Sequence, residues 1–268
     1  MSRAAAPAKI NLALAVGPRR EDGRHELTTV YQRIALCDHL TVERAESLRV
    51  DGFAEDTLVR RALETVADGS PLAARIRKRI PVAAGLGGGS SDAATALRLG
   101  NALRGSPLSD TELHERAREL GADVPYFLVD GPQLGTADGT ELAPIELPQD
   151  YWVMVVVPNG ATKASTADVF VAFDARSGEQ DYETRRAALL RALDEVRRPR
   201  DLAALPANDL ASSPLTEDLV RLGAFRADVT GAGPAVYGLF LHGEQARAAQ
   251  KHMSPKGRTW LTAPAWYR

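Results

Sequence analysis

Between Gly85 and Ser91 the chain reads Gly-Leu-Gly-Gly-Gly-Ser-Ser, four glycines and two serines in seven residues, and it passes at once into Asp92 and the Ala- and Leu-rich segment 93–103. Packing alone does not account for such a run. Glycine lets the backbone reach positive φ and approach a ligand closely. A helix starting directly after it presents free N–H groups and the positive end of its dipole. Good helix formers would not follow a flexible linker so closely, so the pattern predicts strand, glycine loop and helix, with phosphate as the expected ligand.

The common phosphate and hydrolase loops do not match. The segment contains no lysine, so Gly-x4-Gly-Lys-Ser/Thr is absent, and Ser90 stands where Gly-x-Gly-x-x-Gly needs its last glycine. Gly88-x-Ser90-x-Asp92 lacks the final glycine of a nucleophile elbow. The five histidines show no i, i+4 pair and there is a single cysteine, which argues against classical zinc chemistry.

Composition narrows the partners. In 268 residues, 33 Lys plus Arg face 35 Asp plus Glu, so no global charge draws the chain to nucleic acid or to an anionic membrane. Any phosphate binding must be local. The longest apolar run, Tyr151–Val157, is far shorter than the ~18 residues a spanning helix needs. Arg3 and its alanines are interrupted by Lys9 and Asn11, so the amino terminus reads as mature sequence rather than a secretion signal. Cys37 has no partner for an intrachain disulfide, reads as a small buried hydrophobe, and fits a reducing, cytoplasmic setting.

Along the chain, Ile10, Leu12 and Leu14 alternate with Asn11 and Ala13 as in a half-buried strand, followed by a turn at Gly17-Pro18. Segment 31–50 reads as two strands, 56–67 as a helix, and 75–80 as a strand with a solvated basic face. Ser109 with Glu112 forms a capping box, and Leu113, Ala117 and Leu120 give its helix an apolar stripe up to Gly121. Loops and short strands fill 130–150, a strand covers 152–157, helices are expected at 166–173, 182–196 and 214–222, and a strand pair flanks the small-residue loop within 227–240. A domain boundary is expected near 150–160, dividing the chain into residues 1–155 and 156–268.

Three segments, Pro7-Ala-Lys-Ile-Asn-Leu12, the loop 81–91, and Val229-Thr-Gly-Ala-Gly-Pro234, resemble in order the signature segments of the GHMP small-molecule kinases. Together with Gly23-Arg-His-Glu-Leu27, Gly121-Ala-Asp-Val-Pro125, Leu134-Gly-Thr136 and Asn208-Asp-Leu210, the set is most similar to the branch that phosphorylates 4-diphosphocytidyl-2-C-methyl-D-erythritol. The resemblance implies an α+β, two-domain GHMP kinase fold, with an S5-like amino-terminal domain and a ferredoxin-like carboxy-terminal one. It implies transfer of the γ-phosphoryl group of ATP, with Mg²⁺ arriving on the nucleotide, to the 2-hydroxyl of that cytidine-diphosphate-linked methylerythritol, in non-mevalonate isoprenoid precursor synthesis. Other readings are a GHMP kinase for a mevalonate-like or homoserine-like alcohol, and a non-catalytic nucleotide- or RNA-binding module. No nucleic-acid or membrane partner is expected, and the chain is expected to be a monomer or weak homodimer.

Roles follow by matching positions. Lys9 and Asp123 match the family's catalytic pair, the carboxylate taking or orienting the hydroxyl proton and the cation compensating phosphoryl charge. ATP is expected at Pro81, Val82, Ala83, Ala84, Gly85, Leu86, Gly87, Gly88, Gly89, Ser90 and Ser91. Either serine is a candidate contact of the metal or a helix cap; the protein ligands of Mg²⁺ stay open. Acceptor contacts are expected from Asn11, His25, Tyr31, Phe170, Gly231 and Gly233, with His25 reading the cytosine edge. Arg24 stands where relatives carry a tyrosine that stacks on the base; a guanidinium plane can stack on a base or meet a phosphate.

Overall fold

The structure, a computed structural model, describes residues 1–53, 58–161 and 165–265. The chain forms two compact units that are not contiguous in sequence: 1–8, 36–82 and 87–130 in one, 9–35, 83–86 and 131–265 in the other. Two long strands, β1 (Ser2–Arg19) and β2 (His25–Arg44), contribute to both.

In the first unit, the end of β2 pairs antiparallel with β4 (Leu72–Arg77), and β3 (Arg49–Asp51) lies parallel along β4. Helix α1 (Leu58–Val66) buries Val59, Ala62, Leu63 and Val66, the stripe its spacing predicts. It packs on α2 (Gly88–Asn101), where a Cβ at Gly100 would lie 2.6 Å from Val66; only glycine allows this approach. Helix α3 (Asp110–Leu120) starts on Ser109, and both capping-box bonds form. It buries Leu113, Ala117 and Leu120 and ends at Gly121; one 3₁₀ turn, Pro125–Leu128, follows Asp123.

In the second unit, β5 (Gln133–Thr136) joins β2 at Thr29–Tyr31 and pairs with β6 (Glu141–Pro144). After β7 (Trp152–Pro158) come α4 (Thr166–Ala175), α5 (Tyr182–Asp194), α6 (Leu215–Arg221), β8 (Arg226–Val229), β9 (Val236–Phe240), α7 (Gly243–Met253) and β10 (Gly257–Thr262). Strands β10, β7, β9 and β8, in that order, form an antiparallel sheet. Met154, Val156, Val236 and Phe240 of this sheet share a core with Leu219 of α6 and Ala246, Ala249 and Met253 of α7. Strand order 4-1-3-2 with helices on its crossovers is the ferredoxin-like pattern.

Several sequence expectations need correction. β1 is buried on both faces from Ala6 to Gly17: Ile10, Leu12 and Leu14 line one face, and the other carries Ala13, Ala15 and Gly17 with Lys9 and Asn11, whose polar ends are hydrogen-bonded. It runs through Gly17-Pro18, and the turn comes later, where Gly23 N–H donates to the Arg20 carbonyl. β4 starts three residues earlier than expected and stops at Arg77, because the backbone of Arg79 and Ile80 turns to bond Asp38. Asp56 lies outside the described residues, and its helix is described from Leu58. α7 and β10 carried no expectation. Cys37 is buried, as expected. No helix among the described residues is long and apolar enough to cross a membrane.

Candidate active site

The second unit gathers Lys9, Asn11, Tyr31, residues 83–86 and the loop 229–234. Lys9 N–H donates to Leu86 O (2.9 Å) and Ala235 N–H to Ala84 O (3.0 Å), so β1, the glycine-rich segment and the loop after β8 are knitted by backbone bonds. Their closeness requires glycine at 85: its φ is +82°, and a Cβ would stand 2.4 Å from the Thr230 carbonyl oxygen.

Inside this junction Lys9 and Asn11 share a strand face, as their spacing of two dictates. The Lys9 ammonium donates to Asn11 Oδ1 (2.8 Å) and lies 5.6 Å from the centroid of the Tyr31 ring. Asn11 Nδ2 donates to Thr29 Oγ1 (2.8 Å), which donates in turn to Ala13 O. A Cβ on Gly231 would reach within 3.4 Å of the Lys9 Nζ, so the bare backbone at φ +56° leaves the ammonium its room. Gly233 has φ +72°, and its N–H closes the loop on Thr230 O.

The loop after β8 is braced from behind. Asn208 Nδ2 donates to Val229 O (3.0 Å) and Gly231 O (2.8 Å), and its N–H donates to Asp228 Oδ2 (3.0 Å). Asp228 also takes the buried Arg226 guanidinium, which donates to Tyr237 Oη and to three carbonyls between Leu202 and Pro206. Burial pushes the Asp228 carboxyl above its ordinary value against the pull of Arg226, and burial holds the Tyr237 phenol at about 12.

His25 is buried at the start of β2. Its ring stacks on Phe170 (4.9 Å, 21°) and meets the edge of Phe173. Nδ1 lies 2.8 Å from Gly17 O; a carbonyl only accepts, so Nδ1 carries the hydrogen. Nε2 has no hydrogen-bond partner among the described residues and lies 3.2 Å from Asp174 Oδ1, out of bonding geometry. One nitrogen, not two, is therefore available to a ligand. Arg24 pairs with Asp138. Burial raises the Asp138 carboxyl pKa, but donation from Thr140 and Arg24 outweighs it and the net shift is downward.

In the first unit, Gly87 caps α2 in the left-handed region with φ 69°. Ser91 N–H returns to Gly87 O, and the N–H groups of Gly88, Gly89 and Ser90 have no intrahelical acceptor. Neither serine caps the helix, contrary to one expectation; both lie within its first turn. Ser91 Oγ is fully buried with no hydrogen-bond partner among the described residues, and a Cβ on Gly89 would meet nothing nearer than Leu58 at 3.6 Å. Free N–H groups, an orphaned hydroxyl and an uncrowded glycine suit a nucleotide phosphate with its Mg²⁺. Pro81 and Val82 precede the cradle, Val82 being 57% exposed. Asp123 sits half-buried in the turn after α3. No cluster of three or more metal-ligating side chains occurs among the described residues.

Residues 57–131 match the GHMP kinases N terminal domain. The 4-diphosphocytidyl-2-C-methyl-D-erythritol kinase of Syntrophotalea carbinolica is 36% identical over 94% of this chain and 94% of its own. That of Mycolicibacterium vanbaalenii is 39% identical over 85% of this chain and 78% of its own. The chain belongs to the 4-diphosphocytidyl-2-C-methyl-D-erythritol kinase family. A crystal structure of a 4-(cytidine 5'-diphospho)-2C-methyl-D-erythritol kinase superposes with TM-score 0.80 at 31% identity, covering 99% of this chain and all of the other. A mevalonate kinase structure superposes at TM-score 0.75 with 13% identity, which extends the fold alone to that relative.

Three features of this kinase were not legible as functional from sequence. Thr230 donates to Asn11 Oδ1 and Asp174 stands beside His25; Thr230 lies in the third signature segment, which by itself gives that residue no role, and Asp174 belongs to no recognisable spacing. Lys78 falls in segment 75–80, whose alternation predicts a solvated basic face. Arg75 and Arg77 do point to solvent, but Lys78 is turned inward between two buried carboxylates. Asp92, one residue past Ser91, was the available clue.

Proposed function

We propose that this kinase transfers the γ-phosphoryl group of ATP to the 2-hydroxyl of 4-diphosphocytidyl-2-C-methyl-D-erythritol, in the non-mevalonate route to isoprenoid precursors. The observation that carries the reading is the knitting of β1, residues 83–86 and the loop 229–234 around Lys9, in a chain whose relatives bear that kinase name over nearly their whole length.

The cradle binds ATP phosphates at the N–H groups of Gly88, Gly89 and Ser90, with the Ser91 hydroxyl turned to a phosphate oxygen or to Mg²⁺. The metal, when bound with ATP, neutralises phosphate charge. Asp123 accepts and orients the proton of the acceptor hydroxyl, and Lys9 compensates charge on the transferred group. Asn11 fixes the Lys9 ammonium, while Tyr31, His25, Phe170, Gly231 and Gly233 shape the acceptor site, with His25 Nε2 accepting from the exocyclic amine of cytosine. The division into an ATP-binding part, residues 1–155, and a carboxy-terminal part, residues 156–268, belongs to the same proposal. So does a cytoplasmic monomer or weak homodimer.

ADP release with Mg·ATP tests this reading, run with the cytidyl acceptor, mevalonate, homoserine and no acceptor. Turnover is expected with the cytidyl acceptor alone. Asp123→Asn is expected to lose at least ~100-fold in kcat while still binding ATP, the scale of a positioned acid-base group. Preferred turnover of mevalonate or homoserine would reassign the substrate, and near-normal turnover by Asp123→Asn would remove that carboxylate from the mechanism.

A further inference from the structure

Asp38 on β2 and Asp92 on α2 are 0% and 1% exposed. The Lys78 ammonium lies between them, 2.5 Å from Asp38 Oδ2 and 2.7 Å from Asp92 Oδ2. The other oxygen of Asp38 accepts from the N–H groups of Arg79 and Ile80. Arg79 and Ile80 immediately precede Pro81, and Asp92 immediately follows Ser91. One carboxylate–ammonium–carboxylate bridge thus ties the two ends of the glycine loop together. The Phe53 ring covers the ammonium at 5.6 Å, and a Cβ on Gly88 would lie 3.5 Å from Lys78 Nζ and 3.0 Å from Ile80.

Two carboxylates and one ammonium leave this cluster with a net negative charge, so it offers a phosphate no attraction. Nor is a buried ion pair strong evidence for stability, since desolvation offsets most of its Coulomb energy. Burial alone would lower the Lys78 pKa; the two carboxylates outweigh it and hold the group above the usual lysine value, so the ammonium stays charged at neutral pH. What it supplies is geometry: loop ends held at a fixed separation, with the first turn of α2 anchored one residue beyond the cradle.

We propose that Lys78 is a positioning residue for the nucleotide: with Asp38 and Asp92 it closes the base of loop 81–91 and fixes the direction of the Gly88, Gly89 and Ser90 N–H groups. The proposal rests on the reading that this loop binds ATP, so its test carries one readout independent of ATP. Lys78→Met, Lys78→Arg and Asp92→Asn are compared with wild type, and with Ser109→Ala as a control that loosens α3 without touching the loop. Amide hydrogen exchange of Arg79 and Ile80 is expected to quicken at least about tenfold in Lys78→Met and not in Ser109→Ala. ATP Kd and KM for ATP are expected to rise roughly tenfold, with KM for the acceptor and kcat changed much less and Lys78→Arg recovering part of the loss.

If Lys78→Met does not fold, Asp92→Asn carries the test, with the same direction and a smaller effect. Unchanged exchange at Arg79 and Ile80 in a folded variant overturns the clamp whatever ATP does. Quickened exchange with unaltered ATP affinity overturns the positioning role. A wild-type protein that does not bind ATP overturns the functional reading, while the exchange data still judge the clamp.

Discussion

Asn11 has both ends of its amide engaged, Oδ1 with the Lys9 ammonium and Nδ2 with Thr29, so the side chain cannot turn without breaking two buried bonds. That is why a strand residue two positions from a lysine can hold it. The sequence pattern Lys9-x-Asn11 exposes the shared face, because period two is a property of any strand, but not Thr29 or Thr230, whose approach depends on chain pairing. Arg24 is a similar case. Its place directly before His25 is readable, whereas its partner Asp138 is 114 residues away and is not. Asp138 has its pKa held below the ordinary value, so its contribution to stability is present above the unfolded carboxylate range and is lost as pH falls through the lowered folded value. With a half-exposed arginine as partner, the pair is worth about 1 kcal/mol at most. Asp138→Asn is expected to melt about 2–4 °C below wild type at pH 7, with the gap narrowing as pH drops below about 4. A gap that stays constant over that range would show that the carboxylate's charge is not what matters.

At the level of elements, the glycine run holds two kinds of glycine. Gly85 is required by the protein itself, since its Cβ would meet the Thr230 carbonyl at 2.4 Å with φ at +82°. Gly89 is not: it lies within the first turn of α2 with Leu58 at 3.6 Å as its nearest obstacle. Gly85→Ala is therefore expected to cost about 1–3 kcal/mol in stability by forcing the two loops apart. Gly89→Ala is expected to leave the melting temperature equal or slightly higher, because alanine favours helix, and to weaken ATP binding. Thermal melts and ATP titrations of the two variants check this; Gly89→Ala with unchanged ATP affinity would contradict a close approach of phosphate there. The capping box at Ser109 and the stop at Gly121 were legible because caps are local. The end of β4 and the inward turn of Lys78 were not, because Asp38 sets both from another strand. Helix α7 escaped notice because its buried stripe is mostly alanine.

For the whole molecule, near-neutral charge and local phosphate chemistry together fit an enzyme for a small anionic substrate better than a nucleic-acid binder. The ferredoxin-like sheet follows the order expected from the resemblance, and the strand pair around the small-residue loop was readable from its apolar runs. The interleaving of the two compact units was not readable, since β1 and β2 serve both and no composition shift marks where they pass from one to the other. The central claim is the phosphorylation of one hydroxyl on a cytidine diphosphate compound. Phosphorus NMR of the protein incubated with Mg·ATP and 4-diphosphocytidyl-2-C-methyl-D-erythritol tests it most directly. The account predicts a new phosphomonoester resonance growing in step with ADP, with the acceptor's diphosphate signals preserved. ATP consumption that yields only inorganic phosphate, or no consumption by a folded protein that binds ATP, would contradict it.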